Sequence, residues 1–143
     1  MSLNAQNLID WEEFNAAREQ LGANFARILQ YFKEDGITSL EAVERAMHER
    51  NSAGLISPAH TLKGESLQFG AQKLSNLAEK IEMAGRHFVE TRSTPEELVP
   101  DVVRLRTLLE QTLDQLEEAT NPLVERPSAF GEKKTANQQF GRL

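Results

Sequence analysis

From Trp11 to Leu116 the apolar residues of this chain recur three and four positions apart, and they never alternate over the length of a strand. A period near 3.6 gives each segment one apolar face that has to be buried against another, which confines the chain to packed helices. With only 8 glycines and 5 prolines in 143 residues, the few interruptions read as boundaries. The spacing predicts a short first helix from Asp10 to Gln20 carrying Trp11, Phe14 and Ala17, with Asp10 as its cap and Glu13 completing a capping box. Gly22 ends it. Phe25, Ile28, Leu29 and Phe32 form the next stripe, and Gly36 reads as its stop. A further helix is expected from Ser39 to Arg50, with Leu40, Val43 and Met47 inward, then a loop over 51–54.

Beyond that loop the pattern predicts a helix from Leu55 to Phe69, a break at Gly70, and a long helix with Leu74, Leu77, Ala78, Ile81, Ala84 and Phe88 on one face. Thr94-Pro95-Glu96-Glu97 combines a threonine cap, a proline at the first helical position and a glutamate at the third, which marks another start. The last helix carries Leu98, Val102, Leu105, Leu109, Leu113 and Leu116 at near-heptad spacing, the fourth wall of a bundle and not a dimer zipper. Pro100 inside it removes a hydrogen bond and predicts a kink or a later start. Periodicity ends at Asn121. The expectation is therefore an all-α chain, an up-down four-helix bundle over residues 9–119 with an extra short N-terminal helix. Residues 1–8 form an N-terminal extension, and 120–143 an extended or disordered tail with Phe130 and Phe140 as its anchors. A chain of 143 residues holds about one such domain.

Charge and composition remove several functions. The net charge is −6, and residues 120–143 contribute Arg126, Lys133, Lys134 and Arg142 against Glu125 and Glu132, so the acidity lies in the helical body. Such a body repels a phosphate backbone, which argues against nucleic-acid binding. Cysteine is absent, excluding disulfides, thiolate metal sites and cysteine nucleophiles. Apolar runs fall far short of the ~20 residues that span a bilayer, and the N-terminus lacks the basic and apolar regions of a secretory signal. The expected location is the cytoplasm, with no membrane partner. Gly64 is followed by its next glycine six positions on, with Ala71 after it, so no phosphate-binding loop is present. His48 and His87 stand apart from carboxylates at ligand spacing and are read as incidental, leaving no metal site. Glu12/Glu13, Glu96/Glu97 and Glu117/Glu118 read as helix-start or solvated charges and not as a hydrolase pair.

The informative stretch is Pro58 to Gly70. On a helical wheel with His60 at zero, Leu55, Ala59, Leu62, Ser66 and Phe69 cluster between about 180° and 260°. That cluster is the buried stripe, and His60 lies about 140° from its centre, facing solvent. Lys63 and Gly64, three and four residues on, share its side. A solvent-facing imidazole is largely neutral near pH 7, and a neutral ring nitrogen can attack phosphorus without a separate base. Lys63 can set a positive charge against phosphoryl oxygens. Gly64 leaves room for another protein's active site, a reason to tolerate the roughly 0.5–1 kcal/mol that a helical glycine costs. Taken singly, each of these is an ordinary surface feature; the combination carries the weight.

That combination, His60-x-x-Lys63-Gly64 followed by Gly70 and Leu74, resembles the phosphorylation-site motif of histidine-containing phosphotransfer (HPt) domains. Ala59, Leu62, Leu77 and Ile81-Glu82 fit as well, as do Ile9-Asp10 and the Phe25–Phe32 helix, so the resemblance spans residues 9 to 117 and leaves out the tail. It implies a four-helix bundle with His60 as the phosphoacceptor, Lys63 as its electrostatic neighbour and Gly64 as the clearance residue. It also implies a phosphocarrier of a multi-step His–Asp phosphorelay, not an enzyme, that accepts a phosphoryl group from a receiver-domain aspartyl phosphate and passes it to another receiver. A histidine kinase, hybrid in type, would stand upstream. No cofactor of its own is implied, since Mg2+ belongs to the receiver, and the bundle is expected to be monomeric because it closes its own core. Two positions depart from the family: Leu67 stands where a small residue is common, and Glu65 replaces a small polar one. Leu67 with Ile56 would make an apolar lip beside His60, and Ile56, Ser57, Leu67 and Gln68 form the expected docking surface. Two other readings are a receiver-binding module that carries no phosphate and a chemotaxis-kinase-type domain phosphorylated by an ATP-bound kinase.

Overall fold

The computed structural model describes residues 8–120. The expected N-terminal extension, apart from Leu8, and the expected tail from Asn121 on, with Phe130 and Phe140, lie outside the described residues. The elements are α1 (Trp11–Leu21), a 3-10 turn (Gly22–Asn24), α2 (Phe25–His48), α3 (Ala53–Gln68), α4 (Gln72–Glu90), a 3-10 turn (Glu96–Leu98) and α5 (Val99–Thr120). Among the described residues there is no strand, and no helix is long and apolar enough to cross a membrane.

The chain divides between Thr112 and Leu113. The first unit holds α1 to α4 and α5 as far as Thr112, and its long helices form the expected up-down bundle. Gly54 lies against Ala46 and Gly36 against Leu62, so α2 and α3 run antiparallel. Ser75 Oγ donates to the Lys63 carbonyl while Gly85 meets Ile56, so α3 and α4 do the same. Contacts from Gly36 to Leu109 and from Glu44 to Arg106 return α5 to α2. Leu40, Val43, Leu55, Leu62, Leu74, Ile81, Leu105 and Leu109 fill the interior, each at most 2% exposed. The expected seam of the last helix is thus core in this unit, from Leu98 through Val102 and Leu105 to Leu109. In the second unit the last turns of α5 close with the Thr120 hydroxyl donating to the Leu116 carbonyl at 2.8 Å.

Four boundaries differ from the sequence expectation. Gly36 does not stop a helix: α2 runs through it for 24 residues, and no separate helix starts at Ser39. The glycine is buried, and a Cβ there would stand 3.4 Å from Leu109 Cδ1, so its small size admits α5. A helical glycine costs roughly 0.5–1 kcal/mol, less than the stripe continuing through Phe32, Leu40 and Val43 contributes by burial. The loop over 51–54 is shorter than expected because Gly54 N donates to Asn51 Oδ1 at 3.0 Å, letting α3 begin at Ala53. Thr94 does not cap a helix; its hydroxyl donates to Glu96 Oε1 at 2.6 Å, and α5 starts at Val99, the later start that Pro100 predicts, with the proline harmless in its first turn.

The fourth difference ties α1 to the rest. Asp10 caps α1 as expected, accepting from Glu12 N at 3.1 Å and Glu13 N at 3.3 Å. Its own N–H, which a capping box would give to Glu13, instead donates to the Gly70 carbonyl at 2.8 Å. Gly70 has φ +79°, and a Cβ on it would stand 2.5 Å from the Asp10 carbonyl oxygen, so only glycine fits this junction. Phe14, Phe25, Phe69 and Phe32 then meet in succession at 5.4 to 5.9 Å, edge to face in the first two pairs and stacked in the last, fixing α1 over the turn from α3 into α4.

Candidate functional site

The α3 stripe is buried where the wheel sets it: Leu55, Ala59, Leu62, Ser66 and Phe69 are all fully inside. Ser66 is tolerated there because its hydroxyl donates to the Leu62 carbonyl at 2.6 Å. His60 faces outward, its side chain 61% exposed. Gly64 is exposed one turn on, and a Cβ placed there would meet nothing within 4 Å. Gly36, Gly54, Gly70 and Gly85 each give way to a neighbour and Gly22 holds a φ of +56°, so among the described glycines Gly64 alone has neither reason for its missing side chain.

Lys63 is less exposed than its place beside His60 suggests, at 27%. On the wheel it lies about 60° from His60 but only about 40° from Ala59, at the edge of the stripe, and there it turns toward α4. Its Nζ stands 3.0 Å from Glu82 Oε1. Oε2 of the same carboxylate takes His60 Nδ1 at 3.0 Å, Arg86 Nη2 at 2.8 Å and Arg86 Nε at 3.2 Å. Glu82 itself is almost wholly buried, 3% exposed. Burial alone would raise its pKa, but the hydrogen bonds from Arg86, Lys63 and His60, with the Lys63 charge, outweigh burial and bring the carboxyl down to about 2. It is therefore ionised throughout the neutral range. An ionised carboxylate only accepts, so the His60 nitrogen facing it carries a proton, and Nε2 is the ring nitrogen left with a lone pair.

Ser57, Leu67 and Gln68 are exposed, Leu67 at 46%. Ile56 is half-buried and leans on Gly85 of α4, so it belongs to the α3–α4 seam more than to a free lip. Glu65 lies away from His60, as the wheel has it, on the side facing Asp35 of α2; burial and that negative neighbour raise its carboxyl above the usual range. His48 and His87 sit in the last turns of α2 and α4. Among the described residues no three acidic or imidazole side chains are grouped as metal ligands.

Arg86 is a site residue that the sequence reading did not name, and Glu82 was named there only as a position that fits the family, with no role. A signal existed. Glu82 follows Leu74, Leu77, Ala78 and Ile81 on the apolar face of α4, where a charged residue requires a partner. Arg86, one turn on, is the partner the local sequence offers.

Among curated protein sequences none matches this chain. Its fold is similar to that of histidine-containing phosphotransfer protein B (HptB) from Pseudomonas aeruginosa PAO1, with a TM-score of 0.65 and 19% identity over 78% of this chain and 95% of that one. The family model of the Hpt domain matches residues 27–119, taking in α2 from Arg27, α3, α4, α5 as far as Ala119 and the whole His60 cluster. With the helical bundle and that match together, the chain belongs to the Hpt domain family, the phosphotransfer modules of phosphorelays.

Proposed function

We propose that His60 is the phosphoacceptor of this Hpt domain, taking a phosphoryl group from the aspartyl phosphate of one receiver domain and giving it to another. The observation that carries this reading is the hydrogen bond from His60 Nδ1 to the buried Glu82 carboxylate, on a ring otherwise open to solvent. It fixes the tautomer and aims Nε2 outward. During transfer the Nε2 lone pair forms the N–P bond while the P–O bond to the donor carboxylate breaks, its electron pair leaving with that carboxylate. The ring gains positive character, which Glu82 stabilises from behind, as an orienting carboxylate does for a catalytic imidazole elsewhere. Lys63 supplies positive charge beside the new phosphoryl oxygens. The domain provides nucleophile and docking face, and the receiver provides the rest, including its Mg2+. Leu67, exposed one turn beyond Gly64, is the apolar contact for the receiver, with Ile56, Ser57 and Gln68 around it.

Incubation with a labelled phospho-receiver tests the reading. Label is expected on the wild-type protein and absent from His60→Gln; undiminished labelling of the variant overturns it. Label arriving from a kinase and ATP, but from no receiver, overturns the direction of transfer. Gly64→Ala separates clearance from folding. The substitution should stabilise the protein by about 0.5–1 kcal/mol, since alanine favours the helix, yet slow transfer on the order of tenfold. A faster or unchanged rate removes the clearance role.

A further inference from the structure

Two cations share the single charge of the carboxylate beneath His60, and the more exposed of the two is Arg86. Glu82 carries one negative charge, and the Lys63 ammonium already stands 3.0 Å from its Oε1. Arg86 brings a second positive charge to the same carboxylate. Its bonding is also poor for a guanidinium. Such a group ordinarily spans both oxygens of a carboxylate with two parallel donors. Here Nε at 3.2 Å and Nη2 at 2.8 Å both fall on Oε2, which also takes His60 Nδ1 at 3.0 Å. Three donors crowd an oxygen that has two lone pairs. The shared acceptor also keeps Nη2 no farther from the imidazole Nδ1 than the sum of those two contacts. Meanwhile the Arg86 side chain is 51% exposed, and only two of its five N–H bonds go to Glu82.

On the footing of the phosphotransfer reading, we propose that Arg86 is a second phosphoryl-binding group of this site, which leaves Glu82 Oε2 when His60 is phosphorylated and donates to the phosphoryl oxygens. The resting cluster sets two cations on one carboxylate, and the more exposed of them is the one that can meet a new anion. Phosphorylation adds negative charge on the outer side of the ring, where a half-exposed guanidinium with free donors can turn to meet it. The same motion relieves Oε2 of two competing donors. Its hydrogen bond from Nδ1 then strengthens as the ring becomes more positive, and no proton has to leave. One side chain thus stabilises both ends of the phosphohistidine.

The test compares wild type, Arg86→Ala and Arg86→Lys, each brought to equilibrium with the same phosphorylated receiver, with thermal unfolding measured alongside. Arg86→Ala is expected to lower the ratio of phospho-His60 to phospho-receiver about tenfold, and Arg86→Lys to recover most of it. In wild type the Arg86 Nε–H resonance should shift on phosphorylation. An unchanged ratio in Arg86→Ala, with only the unfolding temperature reduced, shows a purely structural ion pair and overturns the proposal; an Nε–H resonance that stays in place does so too. Failure of the wild type to take any label is a different result, which overturns the phosphotransfer reading beneath it.

Discussion

Glu65 on α3 and Glu82 on α4 are two glutamates that the bundle takes out of water, and for both of them burial favours the protonated acid. Their neighbours send them in opposite directions. Glu65 meets Asp35, a second carboxylate, and its pKa rises further. Glu82 meets Arg86, Lys63 and His60, and its carboxyl falls to about 2 although it is the more deeply buried of the two. Burial sets the stakes and neighbours set the sign. Glu65 has a like-charged neighbour on the α2 side; Glu82 is instead tied to the ring proposed as the phosphoacceptor.

The contrast is sharpest under substitution. Glu82→Gln keeps the shape but removes the charge, so it should slow phosphotransfer on the order of 10–100-fold, the range for partners that orient a reacting ligand, and destabilise the fold by about 1–3 kcal/mol. Transfer rates within twofold of wild type would place the His60–Glu82 contact outside the mechanism. Next in size is the acid limb of stability. Glu82 has a folded pKa near 2 against an ordinary 4.5, a depressed acid. Its contribution, up to about 3 kcal/mol, is present above pH 4.5 and lost as the pH falls from there toward 2. Denaturant unfolding followed through that window should show the loss in wild type and not in Glu82→Gln. Smallest is Glu65→Gln. As a raised acid, Glu65 binds its proton more tightly when folded, so its contribution is present below pH 4.5 and lost as the pH rises through its elevated value. Removing the charge should therefore stabilise the protein at pH 7 by on the order of 0.5 kcal/mol, with transfer unchanged. Slower transfer in Glu65→Gln would erase the distinction between the two.

Much of this was legible from local pattern alone. The α3 stripe fixed the direction of His60 because a helix wheel needs only its own residues, and Gly64 stood out because nothing local asked for it. What local pattern could not supply was the identity of partners across helices. Gly36 looks like a stop until Leu109, far along the chain, is seen to occupy the space it leaves. The Asp10 N–H looks destined for Glu13 until the Gly70 carbonyl arrives from the α3–α4 turn. His60 and Glu82 are 22 positions apart and meet only through the antiparallel register of α3 and α4. The charged residue on an apolar face was visible; the imidazole it serves was not.

The central claim is that Glu82 occupies one nitrogen of His60 and leaves the other to react. NMR of the phosphorylated, 15N-labelled protein reads this directly, through the coupling of phosphorus to a ring nitrogen. The account predicts that the coupled nitrogen is Nε2, with Nδ1 still protonated and hydrogen-bonded to Glu82. Phosphorus coupled to Nδ1 would contradict it, since the phosphoryl group would then stand where the carboxylate does.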